Sequence, residues 1–235
     1  MDPRAKRLLE AAAQPYAAAG RYALHFARGK LRHDPVYFFL LRRGLLPDRG
    51  RLLDVGCGRG LLLSLLRAAR ESYRAGTWPE GWAAPPLDLD LTGIDLRADH
   101  VRIARVALGG DARLEAGNLL DFDFPPSAAI VLLDVLLYLS GDEQQRALGK
   151  AAAALESGGV LLLREADAGA GVTYGLSQLS ERLLEALRGR PFARLRYRRA
   201  AEWAGLLESL GFRVAMEPMS EGTPFANVLF VCKKG

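Results

Sequence analysis

The sequence predicts an α/β fold: a doubly wound, seven-stranded, mostly parallel sheet with a C-terminal antiparallel hairpin and an N-terminal helical cap. Three observations predict it. From about residue 50, short apolar runs alternate with amphipathic helical segments, the pattern that lays helices on both faces of a parallel sheet. The run "AAIVLLDVLLYL" is apolar enough to be buried on both faces, as a central parallel strand is. The last two strand-like runs, "FRVAMEPM" and "NVLFVCKK", are joined only by "SEGTPFA", too short for a parallel crossover, so one of them runs antiparallel.

The elements follow in order. "RLLDV" is the first strand. A glycine turn leads into a helix whose Leu61, Leu62, Leu65, Leu66, Ala69 and Tyr73 share one face at 3.6-residue spacing. After a loop-rich insertion, "TWPEGWAAPPLD", comes the strand "LDLTGID", and Asp99 is expected to cap the helix carrying Val101, Ile103, Val106 and Ala107. "ARLEAGN" is a weaker third strand and "AAIVLLDVLLYL" the fourth. Ser140 with Glu143 forms a capping box for the helix "GDEQQRALGKAAAALE", which Gly158 and Gly159 are expected to stop before the fifth strand, "GVLLLREA". Trp203, Leu206, Leu207 and Leu210 mark a last helix before the hairpin.

Composition bounds the function. Half of the 235 residues are hydrophobic, enough for one well-buried core, and the longest apolar stretches fall far short of a membrane span. The start, interrupted by Glu10, Gln14 and Pro15, lacks the apolar stretch of a secretory signal, so a cytoplasmic location is expected. Cys57 and Cys232 stand in apolar context without metal spacing and read as reduced, packed thiols, so no metal is expected. The net charge of +5 is modest, and six arginines between positions 188 and 199 supply much of it, as a solvated face or as an anion-binding patch.

The stretch "RLLDVGCGRGLLL" carries the chemistry. Its glycines are Gly56, Gly58 and Gly60, and Leu61 stands where a dinucleotide fingerprint would place its third glycine. The ending Arg59-Gly60-Leu61 lacks the lysine and hydroxyl of a phosphate loop. Asp54, two residues ahead of the first glycine, would repel a pyrophosphate and attract an ammonium or sulfonium. Asp54, Gly56, Gly58 and Gly60 spell D-x-G-x-G-x-G, and on this motif and the strand layout the chain resembles the class I S-adenosylmethionine-dependent methyltransferases over roughly residues 45–235.

The resemblance implies a Rossmann-like, S-adenosylmethionine-binding domain over 45–235 with residues 1–44 as the cap. The implied cofactor residues are Asp54, Gly56, Cys57, Gly58 and Gly60 at the turn, Asp95 and Leu96 at the second strand end, and Asn118 and Leu119 after the third. Asp95 matches the acid that accepts from both ribose hydroxyls, and Asn118 stands where the family more often has an aspartate bonding the adenine amino group. Asp134, ending the fourth strand, is a buried acid whose partner is the methionyl ammonium or a backbone donor. A sulfonium methyl needs chiefly an acceptor held in line and water excluded. If a base is needed, Tyr138, Glu165 and His33 are the candidates, with Asp167 and His25 beside them. His100 reads as solvent-facing.

Substrate identity is expected in two regions. One is the aromatic- and cation-rich segment before the sheet, with Tyr22, Phe26, Tyr37 or Phe38 against substrate and Arg28 or Lys30 near the cofactor carboxylate, or else simple core packing. The other is Asp167 to Arg199. The expected activity is methyl transfer to a small-molecule or carrier-bound acceptor of bacterial type. A nucleic-acid methyltransferase is disfavoured, since "DVLLY" stands where amino-methylating enzymes carry a base-stacking D/N-P-P-aromatic run. A non-catalytic, cofactor-binding partner subunit is a third reading.

Overall fold

The computed structural model describes residues 2–169, 195–220 and 226–235. Seven strands, β1 (Arg49–Val55), β2 (Asp88–Asp95), β3 (Arg113–Ala116), β4 (Ser127–Leu133), β5 (Leu155–Ala166), β6 (Phe212–Pro218) and β7 (Asn227–Lys234), form one sheet in the order β3-β2-β1-β4-β5-β7-β6. β7 is the reversed strand: it pairs antiparallel with β5 and with β6, and all other pairs are parallel. The predicted doubly wound sheet with its terminal hairpin is therefore present.

Helices cover both faces because successive strand residues point to opposite sides. Leu52, Val131 and Leu162 share one core with α1 (Pro3–Ala13), α2 (Arg21–His33), α3 (Val36–Arg42), α4 (Leu61–Arg74) and α5 (Ala98–Leu108). Leu53, Leu132 and Leu163 face the other core, with Leu148 of α6 (Gly141–Ala154) and Trp203 of α7 (Ala200–Ser209). The N-terminal helices are part of the first core: Leu8, Tyr16, Leu31 and Leu40 are buried in it beside Leu62 and Leu65. The Trp78 and Trp82 insertion is packed too, with Trp82 edge-on to Phe38 at 5.4 Å.

Local expectations change in three places. The fourth strand stops at Leu133, because Asp134 takes φ 59° and Leu136–Tyr138 close a 3-10 turn whose Leu136 N–H donates to Glu165 Oε1 at 2.7 Å. Gly158 and Gly159 do not stop α6; they lie inside β5, and Lys234 Nζ meets the Ala152 and Leu155 carbonyls at 2.8 and 2.6 Å at the helix end. Asp99 is not the cap of α5: Arg97 holds that position and Asp99 sits in the first turn, paired with Arg97 at 2.7 Å. Among the described residues, no helix is long and apolar enough to cross a membrane.

Candidate active site

β1 lies between β2 and β4, where the strand order reverses, and in open parallel sheets the crevice beyond the strand ends at that point holds the ligand. The glycine turn leaves β1 there. Its amides are engaged within the protein: Gly56 and Cys57 N–H both donate to the Ile94 carbonyl (2.8 and 2.9 Å), Gly58 N–H to Asp95 Oδ2 (2.9 Å) and Gly60 N–H to the Cys57 carbonyl (2.8 Å). A phosphate cradle needs these amides turned outward. The turn is thus built to tie β1 to β2, and its Gly56, Cys57 and Gly58 line a cavity at the strand ends. A Cβ on Gly56 would strike Val135 at 2.3 Å and one on Gly60 would meet Leu108 at 2.9 Å, whereas Gly58 is glycine for its φ of 56° and has open space where a Cβ would stand.

Beyond β2 and β3 lies a cavity of about 490 Å³, whose walls include Asp95, Leu96, His100, Asn118 and Leu119. Asp95 accepts from the Gly58 amide at Oδ2 and from the Arg97 amide at Oδ1, at 2.9 Å each, and His100 Nδ1 lies 3.6 Å from Oδ1. Burial raises the Asp95 pKa, but the His100 contact and the two amides outweigh it and hold the carboxyl below its ordinary value. Asn118 Oδ1 accepts from Leu120 N–H at 3.0 Å, which fixes its amide plane. Leu96 is exposed on the rim.

A second cavity of about 450 Å³ adjoins the first beneath α2, and Phe26, Gly56, Arg59, His100, Asp134 and Tyr138 line both. It is rich in acids. Asp54 is 4 % exposed, and burial together with the Asp95 charge pushes its pKa up to about 7. Asp134 is held by Arg164 through Nε to Oδ1 at 2.9 Å and through Nη2 to Oδ2. The same guanidinium, 2 % exposed, reaches Asp34 with Nη1 to Oδ1 and Nη2 to Oδ2 (2.9 Å). Lys30 Nζ lies 2.8 Å from Asp34. Burial works to raise the Asp34 pKa, yet Arg164 and Lys30 hold it well below the ordinary carboxylate range.

Arg59 is the orphan of the site. Its guanidinium lies 4.1 Å from the Phe26 ring centroid and 5.1 Å from that of Tyr22, and its Nε and Nη1 are buried without a hydrogen-bond partner among the described residues. Buried donors of this kind call for an acceptor, and a carboxylate matches the guanidinium fork. The wall thus offers acids for an ammonium or sulfonium, a cation for a carboxylate, and an acid for a diol. That set fits an amino-acid sulfonium nucleoside.

Residues 23–217 match the family model described as a methyltransferase domain. The chain belongs to the class I S-adenosylmethionine-dependent methyltransferases. Carboxy-S-adenosyl-L-methionine synthase of Chromohalobacter salexigens is 32% identical to this chain over 132 residues, which is 52% of this chain and 44% of that protein. The matched stretch thus spans under half of that relative. Among solved structures, an O-methyltransferase family protein from Burkholderia thailandensis superposes with a TM-score of 0.65 at 20% identity, covering 99% of this chain and 68% of that one. Magnesium protoporphyrin IX methyltransferase from Synechocystis PCC 6803, solved with bound SAH, gives 0.59 at 19% identity over 88% of this chain and 84% of that one. At such identities these two likenesses carry the fold.

The fold brings most of the sequence-derived residues together. Asp54, Gly56, Cys57, Gly58, Asp95, Leu96, Asn118, Leu119 and Asp134 line one or both cavities. Gly60 closes the turn from beneath, against Ala104 and Leu108 of α5. Tyr138 and His33 line the second cavity, but Glu165 does not: it is buried behind the 3-10 turn as the acceptor for Leu136 N–H. His100, read as solvent-facing, lines both cavities. Tyr37 lines the second cavity, whereas Phe38 packs on Trp82 away from it. Arg28 pairs with Glu10 at 2.8 Å. Asp167 is tied to the amides of Gly169 and Ala200 (2.8 and 2.9 Å). Of the arginine cluster, Arg188, Arg190 and Arg194 lie outside the described residues, as does most of the Asp167 to Arg199 region. The site residues that sequence reasoning missed are Asp34, Arg59 and Arg164. Arg164 carried a signal, a cation inside the apolar strand "LLLREA", because a buried guanidinium must have acids around it.

Proposed function

We propose that this protein moves the methyl group of S-adenosylmethionine to a small organic acceptor lodged in the second cavity. One observation carries the reading: two adjoining cavities share the glycine turn, one lined by the acid Asp95 and the other continuing beneath α2 toward His33 and Tyr138. The cofactor, when bound, supplies a methyl made electrophilic by a positive sulfur. Asp95 takes the ribose hydroxyls through the lone pairs its two amide donors leave, and Leu96 and Leu119 flank the base, with Asn118 at its edge. Asp134 and Asp54 face the positive end of the amino-acid portion, and Arg59 its carboxylate. Phe26 and Tyr37, which line the second cavity, close the acceptor space and exclude water, the main requirement for in-line transfer. For an acceptor that must lose a proton, His33 is the base and Tyr138 fixes its orientation.

A small or carrier-bound acceptor is favoured over nucleic acid by the modest net charge. A second reading, in which the sulfonium methyl itself is modified, draws on the 32% match to the carboxy-S-adenosyl-L-methionine synthase. Incubation with methyl-labelled cofactor and fractionated extract tests both. Label in small metabolites or carrier-bound chains is the expected outcome, label retained in a heavier nucleoside supports the second reading, and label in RNA overturns both.

A further inference from the structure

We propose that Asp34, on the cap and outside the strand-end motifs, is a positioning residue for the cofactor's ammonium, acting through Arg164 on Asp134. The inference rests on the reading that Asp134 meets that ammonium. Asp134 is the described residue other than glycine with positive φ, at 59°, a left-handed conformation that aspartate visits more readily than most residues and that local contacts here support. Arg164 does the holding twice. Its carbonyl accepts the Asp134 N–H at 3.0 Å, and its guanidinium grips both carboxylate oxygens. Backbone and side chain of Asp134 are therefore fixed by one residue.

Arg164 is itself fixed by Asp34. The corner between α2 and α3 brings Asp34 onto the far side of the guanidinium, where Nη1 and Nη2 meet its two oxygens. The Val36 amide, 3.2 Å from Asp34 Oδ1, and Lys30, 2.8 Å from Oδ2, orient Asp34 in turn. The charge arithmetic gives this arrangement its consequence. One buried arginine facing one aspartate would cancel it and leave Asp134 little attraction for a cation. Facing two, the guanidinium is shared, and the triad of Asp34, Arg164 and Asp134 keeps one net negative charge beside the second cavity. Lys30, 2.8 Å from Asp34, offsets part of it, from a side chain that is 40% exposed and screened by water. The cap thereby sets the potential at a strand end 100 residues further along the chain, and cofactor affinity depends on the cap being docked.

The full-length protein tests this with two probes measured by titration calorimetry. S-adenosylhomocysteine carries the amino-acid end, and 5′-methylthioadenosine has the same nucleoside and a thioether without it. Asp34→Asn is expected to raise Kd for S-adenosylhomocysteine by about tenfold, the scale of one screened charge contact, and to leave that for methylthioadenosine within about twofold. Asp34→Glu, which keeps the charge, is expected to recover most of the loss. Asp134→Asn checks the underlying reading: if it spares S-adenosylhomocysteine, the ammonium assignment fails and the relay with it. If Asp134→Asn weakens S-adenosylhomocysteine but Asp34→Asn does not, or weakens both probes alike, the relay alone is overturned. Should Asp34→Asn not fold, the double variant Asp34→Asn/Lys30→Met removes the ion pair as a unit and is read against the same outcomes.

Discussion

The two halves of the site are held by different physics. Around Asp95, every link is short in sequence or made by backbone: the Gly58 amide, the Arg97 amide two residues on, and His100 one turn later. Around Asp134, the links are side-chain charges drawn from the α2–α3 corner, the end of β4 and β5, far apart in sequence and gathered around the buried Arg164. The first half is a local motif that forms once β1 and β2 pair. The second exists only when the α2–α3 corner, the end of β4 and β5 are packed together.

The sharpest way to break this contrast is Arg164→Leu. It leaves Asp34 and Asp134 facing each other without their shared cation, and an orphaned buried charge costs about 3–5 kcal/mol. For a chain of this size that is a fall in Tm on the order of 10 °C. Thermal unfolding followed by circular dichroism measures it, and a fall under about 3 °C would mean that the network contributes little to the fold.

Asp95→Ala should do the converse, sparing stability more than ligand. Losing a charge-assisted contact costs about 1–3 kcal/mol, so S-adenosylhomocysteine should bind roughly 5- to 150-fold more weakly. Methylthioadenosine should lose as much, because the ribose is common to both. Unchanged affinity would sever Asp95 from the diol.

What was legible in the sequence follows the same divide. The D-x-G-x-G-x-G run, Asp95 and the capping box at Ser140 could be read because each is satisfied by neighbours in the chain or by the backbone of the adjacent strand. Asp34 and Arg59 could not: nothing near them in sequence distinguishes an aspartate before Pro35 from a turn former, or an arginine between glycines from a solvated one. His100 was misread for the same reason, its significance coming from the Asp95 carboxylate it faces. Glu165 invited a catalytic reading by lying at a strand end, but strand residues alternate in direction. Arg164 faces the cavity and its neighbour faces the opposite core.

pH separates two of the acids by sign. The folded pKa of Asp34 is depressed, so its contribution to stability is present above the unfolded value of 3.8 and is lost on acidification. Asp54 is the reverse: its folded pKa of about 7 exceeds the unfolded 3.8, so its contribution is full below 3.8 and is lost as pH rises through about 7. A cationic ligand inverts that cost, because it favours the ionised carboxylate. Affinity for S-adenosylhomocysteine should therefore rise by up to about tenfold between pH 6 and pH 8, and Asp54→Asn should flatten the rise. A flat profile in the unsubstituted protein would remove Asp54 from the ligand's positive end.

The smallest effect belongs to the arginines beside the second half of the site. Arg198 is structural: its Nε donates to Gln144 Oε1 at 2.7 Å, and its guanidinium lies 5.4 Å from the Trp203 ring centroid. Arg196 and Arg199 are exposed, with their bonded groups in the backbone: the Arg196 amide donates to the Leu137 carbonyl at 2.7 Å and the Arg199 amide to Glu202 at 2.8 Å. Serine at both positions preserves those amides, so stability should change by less than about 0.5 kcal/mol and cofactor affinity not at all, while acceptor KM is free to move. A loss of S-adenosylhomocysteine affinity in the double variant, read by the same calorimetry, would extend the charge network past Arg164 to the surface and erase the boundary between a locally built half and a globally built one.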